Sequence, residues 1–120
     1  MKRKSTGDLG ERLAVDFLRK RGYRILETNF RCRAGEIDII ARQGDTLVFV
    51  EVRTKTNLNF GSPEESLSPA KRQHLAAAAE TYLQEMSPLP NSWRVDLVAI
   101  ELDANNRAKR VDLVENAIDD

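Results

Sequence analysis

The stretch from Gly35 to Lys55, GEIDIIARQGDTLVFVEVRTK, limits the fold more than any other part of the chain. It reads as two alternating apolar segments around Gly44-Asp45, and a two-residue loop with Gly first suits a type II′ hairpin turn. That turn sets a register: Gln43 against Thr46, Arg42 against Leu47, Ile40 against Phe49, Asp38 against Glu51 and Glu36 against Arg53. One face is then apolar, with Ile37, Ile39 and Ala41 against Val48, Val50 and Val52. The other begins with Ile40 and Phe49 and ends in a cluster of Glu36, Asp38, Glu51, Arg53 and Lys55.

That charged cluster is the anomaly. Directly opposed residues have Cβ atoms about 4.5–5.5 Å apart, so carboxylates at 38 and 51 repel. Two explanations fit the residues alone. A solvated strand end would pair Glu36 with Arg53 and leave the other charges in water. Alternatively a hard divalent cation sits between the acids, since Mg²⁺ needs only one or two protein carboxylates and takes water and phosphate for its other ligands.

At 120 residues the chain suits one domain with a single core. No apolar run is long enough to span a bilayer, and the charged N-terminus is followed by no apolar signal region, so a cytoplasmic protein is expected. Cys32 is the one cysteine, which excludes an internal disulfide and makes it a bystander thiol. The zero net charge hides an asymmetry: residues 1–60 carry 13 Lys and Arg against 8 Asp and Glu, residues 61–120 carry 6 against 11. A basic half that holds the carboxylate cluster suits a polyanionic partner.

Residues 1–5 read as a mobile basic arm. From about Thr6 to Arg21 the spacing is helical, with Leu9, Leu13, Ala14, Val15, Phe17 and Leu18 on one arc and Asp16 on the solvent side. Glu11 lies on the flank of that arc, either as an acid favoured by the helix dipole or as part of a site. Tyr23 to Arg31 reads as a strand, at whose basic end Arg31 and Arg33 are candidate phosphate contacts or plain solvated charge. Residues 56–68 form a long flexible loop, with Ser62-Pro63-Glu64-Glu65 resembling a capping box. Ser68-Pro69 starts a second helix that runs through Met86, with a core stripe of Leu75, Ala78, Ala79, Tyr82, Leu83 and Met86. Lys71, one turn before Leu75, either reaches towards the sheet or snorkels. His74 has no Cys, Asp or Glu at metal-ligand spacing and reads as structural or exposed. Strands follow at Trp93 to Leu102 and around Val111 to Val114, with Asp96 and Asp112 facing unknown sides.

The expected order is therefore α-β-β-β-α-β-β, an α/β fold with a central mixed sheet flanked by helices. The chain resembles the PD-(D/E)xK nuclease superfamily, with its restriction-endonuclease-like core, and within it the YraN family of endonuclease-like proteins related to archaeal Holliday junction resolvases. The residues that carry the likeness are Gly10-Glu11, Gly22-Tyr23, Asn29, the GEIDIIA run of 35–41, the VFVEV run of 48–52, Phe60-Gly61, Lys71 and Arg94-Val95-Asp96. The resemblance implies Asp38 as the central metal-ligand acid, Glu51 as the acid of the ExK element and Glu11 as the helix carboxylate that completes the site. In one place the chain departs from the pattern. The catalytic Lys position is Arg53, which stays protonated and cannot act as a general base, although it can offset phosphate charge; Lys55 lies on the same face two residues on.

The implied reaction is phosphodiester hydrolysis with one or two Mg²⁺ or Mn²⁺ ions, held by Asp38, Glu51, the Val52 carbonyl and Glu11. No base-reading set is visible, so backbone and shape readout is expected, which suits structured or branched DNA. Paired cuts across a four-way junction would require a homodimer or two recruited monomers. Two other classes stay open: a non-catalytic nucleic-acid-binding module that keeps the nuclease fold, and an adaptor whose acidic second half binds a protein.

Overall fold

In the computed structural model, which describes residues 6–118, the hairpin forms around Gly44, whose φ of +58° is the value a primed turn needs at its first position. It joins a strand over Gly35–Gln43 to one over Thr46–Lys55 in the expected register, from Gln43 with Thr46 out to Ile39 with Val50. There the ladder stops. The expected pairs Asp38–Glu51 and Glu36–Arg53 do not form, because the Val52 N–H donates to Asp38 Oδ2 at 2.8 Å instead of to a backbone carbonyl. Glu36 instead meets Arg31 at 3.3 Å, both exposed. The expected basic arm at residues 1–5 lies outside the described residues.

The elements run in the order anticipated: α1 (Thr6–Lys20), β1 (Arg24–Cys32), β2 (Gly35–Gln43), β3 (Thr46–Lys55), a short 3-10 turn (Glu64–Ser66), α2 (Pro69–Gln84), β4 (Ser92–Leu102) and β5 (Ala108–Val114). The five strands make one mixed sheet in sequence order, antiparallel except for the parallel pair β3–β4, which α2 connects. Among the described residues no helix is long and apolar enough to cross a membrane.

Each helix covers one face of the sheet. On one, Ala14 and Leu18 of α1 pack on Ile39, Ala41, Val48, Val50, Val98 and Ile100. On the other, Leu75, Ala78, Ala79 and Leu83 of α2 pack on Ile40, Leu47, Phe49, Val95 and Leu97. Tyr82 stands edge-on to Phe30 and Phe49, with ring centroids 5.2 and 5.7 Å away. Burying one such apolar side chain contributes about 1.5–3 kcal/mol, so the two helical stripes set how the layers stack.

Ile37 departs from the expected alternation. It joins the α2-side core rather than the face of Ile39 and Ala41. The reason lies across the ladder: Thr28 pairs with Ile39 and Phe30 with Ile37, and between them Asn29 takes a left-handed backbone, φ +57°. That residue reverses the pleat, so Phe30 and Ile37 turn together to the α2 side.

The buried acid of β4 is structural. Asp96 is fully buried and takes both oxygens to Arg94 Nε, at 3.1 and 2.9 Å, while the Asn116 N–H donates to it at 3.0 Å. Arg94 in turn donates to the Tyr23 hydroxyl (2.8 Å) and to Gln43 Oε1 (3.1 Å). The cluster ties the chain's end, the α1–β1 junction and the hairpin turn to one guanidinium. Removing one partner of a buried ion pair strands the other, at a cost of about 3–5 kcal/mol. Asp96→Ala should therefore lower the urea-unfolding free energy by about that amount with an unchanged m-value; a loss below about 1 kcal/mol would show the clip to be dispensable.

Candidate active site

Where β2 and β3 part, the gap is lined by backbone and acids. The Asp38 carboxylate bridges it through the Val52 N–H. A strand residue's N–H and C=O point to the same side, so the Val52 carbonyl faces the same gap. Glu51, only 9% exposed, lies in hydrogen-bond contact with Asp38. Burial first, and then Asp38, push the Glu51 carboxyl up to about 8, against the opposing pull of Arg53 and Lys71. These residues open into a cavity of about 370 Å³ lined by Gly35, Glu36, Asp38, Glu51, Val52, Arg53, Lys71, His74 and Leu75.

Three cationic or titratable side chains face the acids. Arg53 Nη1 lies 3.6 Å from Glu51 Oε2, while its Nε donates to Ser66 Oγ at 2.9 Å, and that hydroxyl donates to the Pro63 carbonyl at 2.6 Å. The 56–68 segment therefore helps to position the site. Its capping box forms, with the Ser62 N–H on Glu65 Oε1 and the Glu65 N–H on Ser62 Oγ. Arg110 of β5 forks onto both Glu64 oxygens, at 2.9 and 2.8 Å, and also holds Glu101 and Asp112. Lys71 is exposed, lines the cavity from α2, and its charge acts on Glu51. His74, one turn along α2, lines the same cavity. It is exposed, as one of the two readings of the sequence expected, but its place at the cavity was not anticipated; its position three residues after Lys71, hence on the same helix face, was the available signal.

Glu11 comes close without joining the pair. It lines a neighbouring groove with Asp8, Arg12, Asp16, Thr28 and Asn29, and Asn29 Nδ2 donates to its Oε1 at 2.9 Å. Its carboxyl is raised by burial and then by the charge of Asp38. Gly10 sets this approach: a Cβ there would lie 2.0 Å from Thr54 Oγ1 and 3.1 Å from Thr54 Cβ, so only glycine lets α1 lie this close to β3. Asn29 thus both reverses the β1 pleat and orients Glu11, a pair of tasks its sequence position alone did not disclose.

Other expected residues stand apart. Lys55 continues the regular strand but opens onto a separate cavity with Thr54, Thr56, Asn57 and Phe60. Arg31 is engaged with Glu36, and Arg33 is exposed in the β1–β2 turn; neither lines the cleft.

Among the described residues no group of three or more His, Cys, Asp and Glu donors forms a ready metal cage. The donors at the gap, two carboxyls in contact and one strand carbonyl, fit a hard cation that keeps most of its positions for water and phosphate. Without such a cation, a proton on Glu51 relieves the pair's repulsion.

Fold and gap together define an α/β domain whose mixed sheet splits to present paired acids beside a fixed guanidinium. Residues 10–100 match the family described as Uncharacterised protein family UPF0102, and the chain belongs to it; this is the family anticipated as YraN from the GEIDIIA and VFVEV runs. It is similar to a UPF0102 protein of Caldicellulosiruptor bescii, 47% identical over 98% of this chain and 99% of that one. A UPF0102 protein of Caldicellulosiruptor saccharolyticus is 42% identical over 98% and 99%. The UPF0102 protein DehaBAV1_0707 of Dehalococcoides mccartyi is 44% identical over 97% of this chain and 94% of its own length.

The raised Glu51 gives a signed pH dependence. The folded state keeps a proton that the unfolded chain releases near the ordinary carboxyl value of 4.5, so Glu51's contribution is fully present below that pH and is lost as pH rises towards about 8. In metal-free urea titrations at pH 5, 7 and 9, Glu51→Gln should gain stability relative to wild type as pH rises and level off above about 8. A pH-independent difference would mean that the folded chain holds no such proton. Gly10→Ala should cost about 1–3 kcal/mol through overpacking, more than the roughly 1 kcal/mol gained by replacing a helical glycine. Most of the loss should return with Thr54→Ala; an additive double mutant would refute the contact.

Proposed function

We propose that this chain is a metal-dependent endonuclease of the PD-(D/E)xK type, hydrolysing phosphodiester bonds in nucleic acid, with structured or branched DNA as its substrate class. The observation that carries the reading is Asp38 bonded to the Val52 N–H at the parting of β2 and β3, with Glu51 against it and Arg53 alongside. A stability role explains this poorly, since burying Glu51 against Asp38 costs free energy that Arg53 at 3.6 Å offsets only in part.

Asp38, Glu51 and the Val52 carbonyl would hold Mg²⁺ or Mn²⁺, with Glu11 one step behind. Such an ion supplies Lewis-acid polarisation of the phosphate and a lower pKa for the attacking water. The chain's own residues do the rest. Arg53, fixed by Ser66 and Glu51, presents a permanent charge to the pentavalent phosphate and takes no proton. Lys71 offers an ammonium to a non-bridging oxygen from the α2 side of the cleft. Arg31 and Arg33, exposed outside the cleft, would give a flanking strand backbone rather than base contacts. Cuts on both strands of a four-way junction would take two copies of this site.

One observation favours a non-catalytic nucleic-acid-binding module: the lysine position holds Arg53, and its guanidinium is already engaged on two sides. Cleavage assays separate the readings. Labelled single-stranded, duplex, flap and four-way-junction DNA with Mg²⁺ or Mn²⁺ should be cut by wild type, with Asp38→Asn and Glu51→Gln each about 10²–10³-fold slower, as expected when transition-state charge stabilisation is removed. Binding without cleavage, unchanged by either substitution, would establish the binding module; the absence of any salt-dependent affinity would exclude both.

A further inference from the structure

The segment that leaves the Glu51–Arg53 strand holds an aromatic ring out in water. Phe60 is 91% exposed, whereas Phe30 and Phe49 pack in the α2-side core. Its backbone is tied on both sides. The Asn59 N–H donates to Asn57 Oδ1 at 3.1 Å, and the Gly61 N–H donates to the Leu58 carbonyl at 3.1 Å. Immediately beyond come the reciprocal Ser62–Glu65 cap and the fork of Arg110 on Glu64. Ordering an exposed phenyl ring this way gains nothing for the fold, since an apolar side chain contributes through burial.

Beside the ring lies a cavity of about 290 Å³ lined by Thr54, Lys55, Thr56, Asn57 and Phe60. Hydroxyls, an amide and an ammonium thus adjoin one flat apolar face, the combination that receives a nucleotide with its phosphate and its base in separate hands. Lys55 is four residues beyond Glu51 on the same strand, about 13 Å at roughly 3.3 Å per residue. A duplex rises about 3.4 Å per base pair, so nucleic acid with its scissile phosphate at Glu51 reaches Phe60 within about four steps.

We infer that Phe60, with Lys55 and Asn57, is a stacking site for an unpaired base, which directs the cleft to branch points, flaps or frayed ends rather than to continuous duplex. A closed duplex offers no free base face to a ring, whereas an unpaired or splayed base does. The inference rests on the nuclease reading for the path of the substrate, and it gives Lys55, which the carboxylate cleft does not use, a phosphate to neutralise.

The test uses the full chain with Ca²⁺ in place of Mg²⁺ and DNA carrying 2-aminopurine either at the branch of a flap or four-way junction or inside a continuous duplex. Wild type should quench the branch probe and leave the duplex probe unchanged. Phe60→Ala should weaken branched-DNA binding at least about five-fold, the lower end of the loss of one base–aromatic stack, and duplex binding less than about two-fold. Phe60→Trp should restore both the affinity and the quenching. Equal affinities for wild type and Phe60→Ala, or equal losses on branched and duplex DNA, would overturn the inference. So would a fall in self-association with unchanged DNA affinity, which would assign the ring to a contact between copies. If Phe60→Ala is neutral while Asp38→Asn and Glu51→Gln abolish cleavage, this inference alone fails; if those two leave cleavage intact, the nuclease reading fails.

Discussion

The gap in the sheet depends on one backbone donor that meets a side chain instead of a strand. A buried N–H left unpaired costs about 1–3 kcal/mol, so strands that part must satisfy the groups they expose. Here the Val52 N–H is met by the Asp38 carboxylate at 2.8 Å, a bond strengthened by the acceptor's charge. The bond keeps β3 from rejoining β2 beyond Ile39 and Val50, and it fixes the Asp38 side chain at the opening. Glu51, Arg53, Lys71 and His74 then gather around that opening from β3 and α2.

The charges there are arranged in depth. Glu51 is the most buried acid of the cleft and keeps its proton well into the neutral range. Glu11 stands behind Asp38 on the α1 side, held by Asn29, and the loop that carries Ser66 holds Arg53 in place. The loop is braced from the opposite edge of the sheet, because Arg110 of β5 grips Glu64 while engaging Glu101 and Asp112. A short basic strand at the chain's end thereby bears on a guanidinium at its middle.

Much of this was legible in the residues. Gly44-Asp45 fixed the register of five pairs, period-two alternation placed Ile40, Phe49, Val48 and Val50, and helical stripes named the buried sides of α1 and α2. What escaped depended on chain segments meeting across the fold. Ile37 obeyed local alternation in the sequence but was turned by Asn29 on the neighbouring strand, and asparagine merely tolerates a left-handed backbone without announcing it. Glu36 had Arg53 as its register partner and found Arg31 once the ladder ended. His74 had no signal in the sequence beyond its spacing from Lys71, and only the α2 crossover brings it to the cavity that Asp38 and Glu51 line.

The parallel pairing of β3 with β4 places a central strand's second partner beyond an entire helix. While the chain is being synthesised, β3 is an edge, and its Leu47-Val48-Phe49-Val50 run is the kind of apolar β-forming segment that recruits another copy. Glu51 and Arg53 interrupt that run at its C-terminal end. Before the gap exists, the same acid and guanidinium are charges of the kind that flank apolar strands and disfavour their pairing with a neighbour.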